Sequence, residues 1–174
     1  TIILAHQISV PSKYAPILES FVSKGGKLIV DGLTGFFDDD LHNTMKTGFP
    51  YAKLLGGNIS EFKVVDNLFD VNIGQVNLPA HLWRGYILNN TGQVIATENG
   101  QPVATRNKSG KGETLWIPSL VGLGAWIDDN TGLAELLKTE LKTNNERSPF
   151  TFKGEQKGAL MKTLQSGSTY ITIL

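Results

Sequence analysis

The chain has 174 residues, 16 basic against 16 acidic side chains, no cysteine, and an apolar fraction of 40% that its 19 glycines extend. That length suits one domain, or one domain and part of a second, with a core that needs neither disulfide nor metal. Zero net charge without a basic block argues against nucleic-acid binding, the lack of an apolar run of about 18 residues argues against a membrane-spanning helix, and zero cysteines exclude thiol chemistry.

Residues 1–8 begin with a β-branched apolar run that reads as a buried strand, broken at Pro11 and Ser12. The chain thus opens inside a strand-like run, so its native N-terminus is expected upstream, and no compartment is assigned. Tyr14, Ile17, Leu18, Phe21 and Val22 then share one helical face, with Pro16 in the first turn and Gly25-Gly26 as the stop. Residues 27–31 (KLIVD) form a second buried strand, and a strand–helix–strand unit favours parallel pairing.

Residues 32–48 read as a polar loop and 50–55 as a short helix ended by Gly56-Gly57. Strands are expected at 61–65, 68–73 and 82–88. The clearest hairpin flanks Glu98-Asn99-Gly100, with strands at 94–97 and 103–106. A turn at 109–112 leads into 114–118 (TLWIP), apolar enough for a central strand, and residues 130–142 carry the leucine stripe of a second helix. A polar boundary is expected at 143–149. Beyond it, strands at 158–163 and 168–174 either open a second, β-rich domain or complete the first as a terminal hairpin.

Three phrases in this series resemble a known family. They are Phe21, Val22, Gly25, Gly26, Leu28 and Ile29; then Leu54, Leu55, Gly56, Ile59, Glu61 and Phe62; then Gly100, Pro102, Val103, Gly110, Gly112, Trp116 and Ile117. In order and spacing they resemble the middle, trimerisation-type domain of family 42 β-galactosidases over about residues 1–142. The resemblance implies an α/β fold of the flavodoxin-like, class I glutamine amidotransferase type: a parallel sheet with helices on both faces, plus a β-rich insertion or hairpins and a C-terminal β-hairpin. Residues 1–145 would be the accessory domain, lacking the strand–helix units that precede it in the family, and 146–174 a C-terminal β domain or terminal hairpin. The resemblance implies a non-catalytic structural and oligomerisation domain of a β-galactosidase-like glycoside hydrolase. A catalytic barrel would lie in the same polypeptide and the parent would be a homo-oligomer, with no cofactor bound by this segment.

The side chains themselves assemble no catalytic signature. Amidotransferase chemistry needs a Cys, and the turn at 32–35 has no nucleophile-elbow pattern around a Ser. His6, His42 and His81 have no metal-ligand spacing, although His6 falls at a strand end, where α/β proteins place ligand sites. Asp38, Asp39 and Asp40 read as a solvated acidic loop, and nothing brings Asp31 and Glu61 together as a glycosidase pair. No catalytic, cofactor-binding or metal residue is therefore assigned. Trp116 is expected in the core, while Phe36, Phe37, Trp83 and Trp126 are the candidates for sugar or interface contact. Two alternatives stand beside the structural module: a carbohydrate-binding module using Trp83 and Trp126, and a small α/β hydrolase using His6 with an Asp.

Overall fold

The computed structural model describes residues 1–89, 91–128, 131–141, 153 and 162–173. The chain divides into two units, Thr1–Leu141 and Lys142–Leu174. In the first, β1 (Ile2–Ala5) leads through a 3-10 turn (Ser12–Tyr14) into α1 (Ala15–Ser23) and on to β2 (Lys27–Asp31). The two strands pair in parallel, from Ile2 opposite Leu28 to Ala5 opposite Asp31. The buried stripe of α1 is narrower than its sequence suggests. Ala15, Leu18 and Val22 are buried, whereas Tyr14 and Ile17 lie exposed.

Two short helices follow, α2 (Thr44–Thr47) and α3 (Ala52–Leu55), and then a long antiparallel hairpin of β3 (Gly57–Ile73) and β4 (Val76–Asn89). Register shifts between Ile59 and Glu61 and between Val65 and Phe69 bend this ribbon. The expected strands at 61–65 and 68–73 are thus one bulged strand. Next come β5 (Gln93–Glu98), β6 (Gln101–Ser109) and β7 (Gly112–Ile117), followed by α4 (Val121–Asp128) and α5 (Gly132–Glu140). The expected helix at 130–142 corresponds to α5; α4 has no counterpart in the sequence reading.

These elements build a five-stranded sheet in the order β1-β2-β7-β6-β5. The β2–β7 pairing is parallel, but β7–β6 and β6–β5 are antiparallel. The flavodoxin-like, glutamine-amidotransferase-like sheet expected from the resemblance is therefore overturned. The sheet is mixed, and strand accounts for 48% of the structure against 24% helix. The physical reason is in the connections. Asn99 and Gly100 adopt φ of 48° and 78° in a two-residue turn between β5 and β6, and Gly110-Lys111 joins β6 to β7. Turns this tight can only reverse the chain, because a parallel return needs a crossover of a dozen residues or more.

Alternation along the strands creates two cores. Leu28, Val30 and Trp116 face α1 and α3, with Phe49, Tyr51, Leu54 and Leu55. Ile29, Leu115 and Ile117 face the other way, onto Val121 of α4, Leu136 of α5 and Phe69, Val71, Leu78 and Ala80 of the hairpin. One face is thus covered by a β-ribbon together with helices, not by a helical layer. The β3–β4 ribbon serves both cores, since Ile59 and Ile87 belong on the α1 side.

Three buried polar residues on the α3 side have a specific task. Thr105, Asn107 and Thr114 donate hydrogen bonds to the carbonyls of Lys53, Leu54 and Leu55, at 3.0–3.5 Å. They satisfy the last carbonyls of α3, which no helical N–H can reach. On the opposite face, Gly124 of α4 meets β4 backbone to backbone. A Cβ there would lie 2.2 Å from the Pro79 carbonyl oxygen.

An ionic ring fastens α5 to the sheet. Lys27 bridges Glu113 and Glu140, each at 2.8 Å, and Arg106 bridges the same two carboxylates. The four residues come from β2, β6, β7 and α5. Burial by itself would raise the Glu113 and Glu140 carboxyls. Hydrogen bonds and charge from Lys27 and Arg106 outweigh it and hold both below their ordinary value.

In the second unit, β8 (Lys162–Ser166) and β9 (Thr169–Ile173) form an antiparallel pair, from Lys162 opposite Ile173 to Ser166 opposite Thr169. The turn falls at Gly167-Ser168, so Ser168 lies in the turn and not in the strand expected at 168–174. The expected boundary at 143–149, the start of the strand at 158–163 and residue 174 lie outside the described residues.

Two outcomes follow for stability. Glu140→Ala removes one of the two carboxylates that Lys27 and Arg106 share, leaves both cations on Glu113 alone, and lowers unfolding free energy by about 2 kcal/mol in urea titration. That is less than the roughly 3–5 kcal/mol of a fully buried pair, because Lys27 and Arg106 are 24% and 22% exposed. The ring's contribution is complete above the ordinary glutamate value of 4.5 and disappears as pH falls through the lowered folded-state values, so the variant's stability approaches that of the wild type in acid. Gly124→Ala forces α4 off β4 and lowers stability by about 2 kcal/mol or more, read as a fall in thermal midpoint.

Candidate functional site

The parallel strands β1, β2 and β7 end together at Ala5, Asp31 and Ile117, and a polar junction forms where the loops leave them. Asp31, the last residue of β2, accepts a hydrogen bond from the His6 backbone N–H at 2.7 Å and a longer one from the Gly122 N–H at 3.4 Å. The N–H of Leu33 donates to His6 Nδ1 at 3.1 Å. His6 itself has φ 50°, a left-handed conformation that side chains seldom adopt. Burial pushes the Asp31 carboxyl up, and the N–H donors of His6 and Gly122 pull in the other direction.

This arrangement answers the hydrolase alternative. His6 and Asp31 are neighbours, as that reading needs, but the carboxylate meets the His6 backbone and not its ring. The ring nitrogen that would face an orienting carboxylate instead accepts from Leu33. A base oriented by an acid requires the carboxylate on the imidazole N–H. The geometry is that of a corner lock tying the β1 loop, the β2 loop and the start of α4. Glu61, the other carboxylate considered with Asp31, pairs with Lys63 at 3.7 Å on the surface.

The other histidines stand apart from this junction. His81 Nε2 lies 3.2 Å from the Asp66 carbonyl oxygen. His42 joins Asp38 and Asp40, whose ligand-type atoms lie within 4.8 Å of one another. The Asp38 carboxylate is already engaged, accepting from the N–H groups of His42 at 2.8 Å and Asp40 at 2.9 Å. Those bonds, His42's first, hold its carboxyl below the usual aspartate value. Asp38 therefore organises its own turn.

Three of the four aromatic candidates come together. Phe36 packs edge-to-face on Phe37 and on Phe62, each at 5.0 Å, and Phe62 packs on Trp83 at 6.3 Å. Trp83 stands within β4 opposite Val64 of β3, inside the strand expected at 82–88, and Val64 is 60% exposed. The cluster clamps the loop after β2 to the hairpin. Phe62 was not among the candidates, because only the pairing of distant strands brings it beside Trp83. Trp116 is buried, as expected, and stacks on Phe49 at 6.0 Å, although its Nε1 has no hydrogen-bond partner among the described residues. Trp126 differs from all of these. It projects from α4 with 81% of its surface exposed, beside Ile127 at 46%.

On the α5 side of the sheet, Ile3, Ile29, Ile117, Leu133 and Leu137 line an apolar groove of about 140 Å³ with Asp31 at its end. No helix among the described residues is long and apolar enough to cross a membrane.

Fold and surface together define a strand-rich, mixed-sheet domain whose distinctive features are packed corners and exposed apolar residues. The chain belongs to the β-galactosidase trimerisation domain family, whose profile matches residues 2–145. Solved structures share the fold. A catalytic mutant of a GH42 β-galactosidase from G. stearothermophilus superposes with a TM-score of 0.70 at 17% identity, over 95% of this chain and 24% of that one. The β-galactosidase of Bacillus circulans sp. alkalophilus gives 0.61 at 20% identity, over 78% and 22%. An exo-β-1,4-mannosidase from Opitutaceae bacterium strain TAV5 gives 0.58 at 19% identity, over 82% and 25%. The chain thus spans about a quarter of the length of these structures. No curated protein sequence matches it.

The corner lock yields a discriminating pair of variants. Asp31→Asn keeps an oxygen for the His6 N–H and removes a carboxylate that burial disfavours, so stability changes by less than about 1 kcal/mol. Asp31→Leu leaves that N–H unpaired and costs about 1–3 kcal/mol in denaturant unfolding.

Proposed function

We propose that this chain is the non-catalytic assembly module of a β-galactosidase-like glycoside hydrolase. Catalysis would reside in a barrel domain of the same polypeptide, and the module would hold copies of the parent together as a homo-oligomer. The observation that carries this reading is the family match over residues 2–145 of a 174-residue chain. The corner lock supports it, since His6 and Asp31 are committed to backbone groups. In this proposal residues 1–145 are the module and 146–174 belong to a following β domain. The cluster of Phe36, Phe37 and Trp83 supplies one contact surface, and the module itself takes no cofactor. A sugar platform on the same rings has less support, because Phe36 and Trp83 already pack on Phe62.

The test compares the intact parent with the isolated 174-residue chain. Light scattering after size exclusion is expected to give three times the parent's monomer mass. An aryl β-galactoside is expected to be cleaved by the parent and left intact by the isolated chain. A strictly monomeric parent removes the assembly role, and turnover by the isolated chain removes the non-catalytic assignment.

A further inference from the structure

We propose that the tip of α4, Trp126 with Ile127, is a subunit contact of the assembled protein and docks on a different surface of a neighbouring copy. The inference rests on the assembly reading above and names where on the domain it acts. Its first support is the contrast between two consecutive helices. α5 exposes Glu135, Lys138 and Thr139, the charged and polar outer face of a solvated helix. α4, with sequence VGLGAWID, carries one charged residue, and its exposed positions are Gly122, Trp126, Ile127 and Asp128. Among the described large apolar residues Trp126 is the most exposed. A solvent-facing tryptophan next to an isoleucine is the composition of an interface anchor.

The second support is rigidity. The Gly124 N–H donates to the Leu120 carbonyl at 3.1 Å, and Leu120 in turn donates to the Trp83 carbonyl at 3.3 Å. With Gly124 seated on the Pro79–Ala80 backbone, β4 main chain fills the space against the inner side of α4, and Trp126 lies on the outer side. The indole is held outward before any partner arrives, which lowers the ordering cost of docking.

The third support is symmetry. A three-fold ring is closed by heterologous contacts, in which a patch on one copy meets a different patch on the next. A single projecting knob that meets a different patch on the next copy fits that requirement.

The experiment uses the intact parent carrying Trp126→Ser or, separately, Ile127→Ser, with Ile17→Ser on the exposed side of α1 as control. Sedimentation across a concentration series is expected to show the trimer dissociation constant raised at least about thirtyfold by Trp126→Ser, the scale of losing one anchor residue. A smaller rise is expected for Ile127→Ser and none for the control. The variant's circular dichroism remains that of the wild type, because the side chain lies outside the core. As a second readout, the fluorescence difference between wild type and Trp126→Phe shifts to longer wavelength on dilution below the trimer midpoint. A trimeric wild type whose Trp126→Ser variant stays trimeric over the same concentrations overturns this assignment alone. The same holds if the trimer persists and only galactosidase activity falls, which would place Trp126 against the barrel. A monomeric wild type overturns the assembly reading and this contact with it.

Discussion

Strand β7 is parallel to β2 on one side and antiparallel to β6 on the other, and its residues from Thr114 to Ile117 are buried on both faces. The rest of the first unit is arranged around that strand. Leu115 and Ile117 point into one core, Trp116 into the other, and Thr114 donates to the last turn of α3. Glu113, one residue earlier, belongs to the ionic ring that holds α5. Beyond its end, Pro118 leaves no room for a Cβ at Gly85, so β4 passes close across the strand terminus. A slip of one residue in β7 would exchange the two cores and break the ring together.

Much of this was readable from residue order. The β1–α1–β2 unit, the Asn99-Gly100 reversal and the central character of 114–118 rest on local signals: β-branched runs, a helical stripe, and a dipeptide that tolerates positive φ. The fold class was misread because the helix-and-strand opening was extended to the whole chain. The turns after residue 98 already argued otherwise, since two consecutive tight reversals commit three strands to antiparallel pairing. The long ribbon looked like separate strands because its bulges interrupt the alternation on which sequence reading depends. α4 was invisible for a related reason. With two glycines, and with Trp126 and Ile127 on its outer side, it has no polar face to contrast with an apolar one.

The site was legible in part. Phe36, Phe37 and Trp83 stand among the aromatic candidates for sugar or interface contact, and the structure joins them through Phe62. Trp126 was singled out on the same grounds and proves to be of another kind, exposed and without a ring partner among the described residues. The lock at His6 and Asp31 shows what sequence cannot distinguish. A histidine and an aspartate at neighbouring strand ends can be a catalytic pair or a backbone fastening, and which atom meets which decides between them. The ionic ring was equally hidden, because its members span residues 27–140 and meet only once β2, β6, β7 and α5 are in place.

The seat of Gly124 on the Pro79–Ala80 backbone has a bearing on how such a domain changes through descent. Main chain rests on main chain there, with no intervening side chain whose replacement would move the helix. At this contact the height of the ridge that α4 presents to the outside is therefore set by backbone and not by side-chain volume. Provided the glycine persists, the outer surface of α4 can drift in composition while keeping its place, so the site of a contact can outlive the residues that first made it.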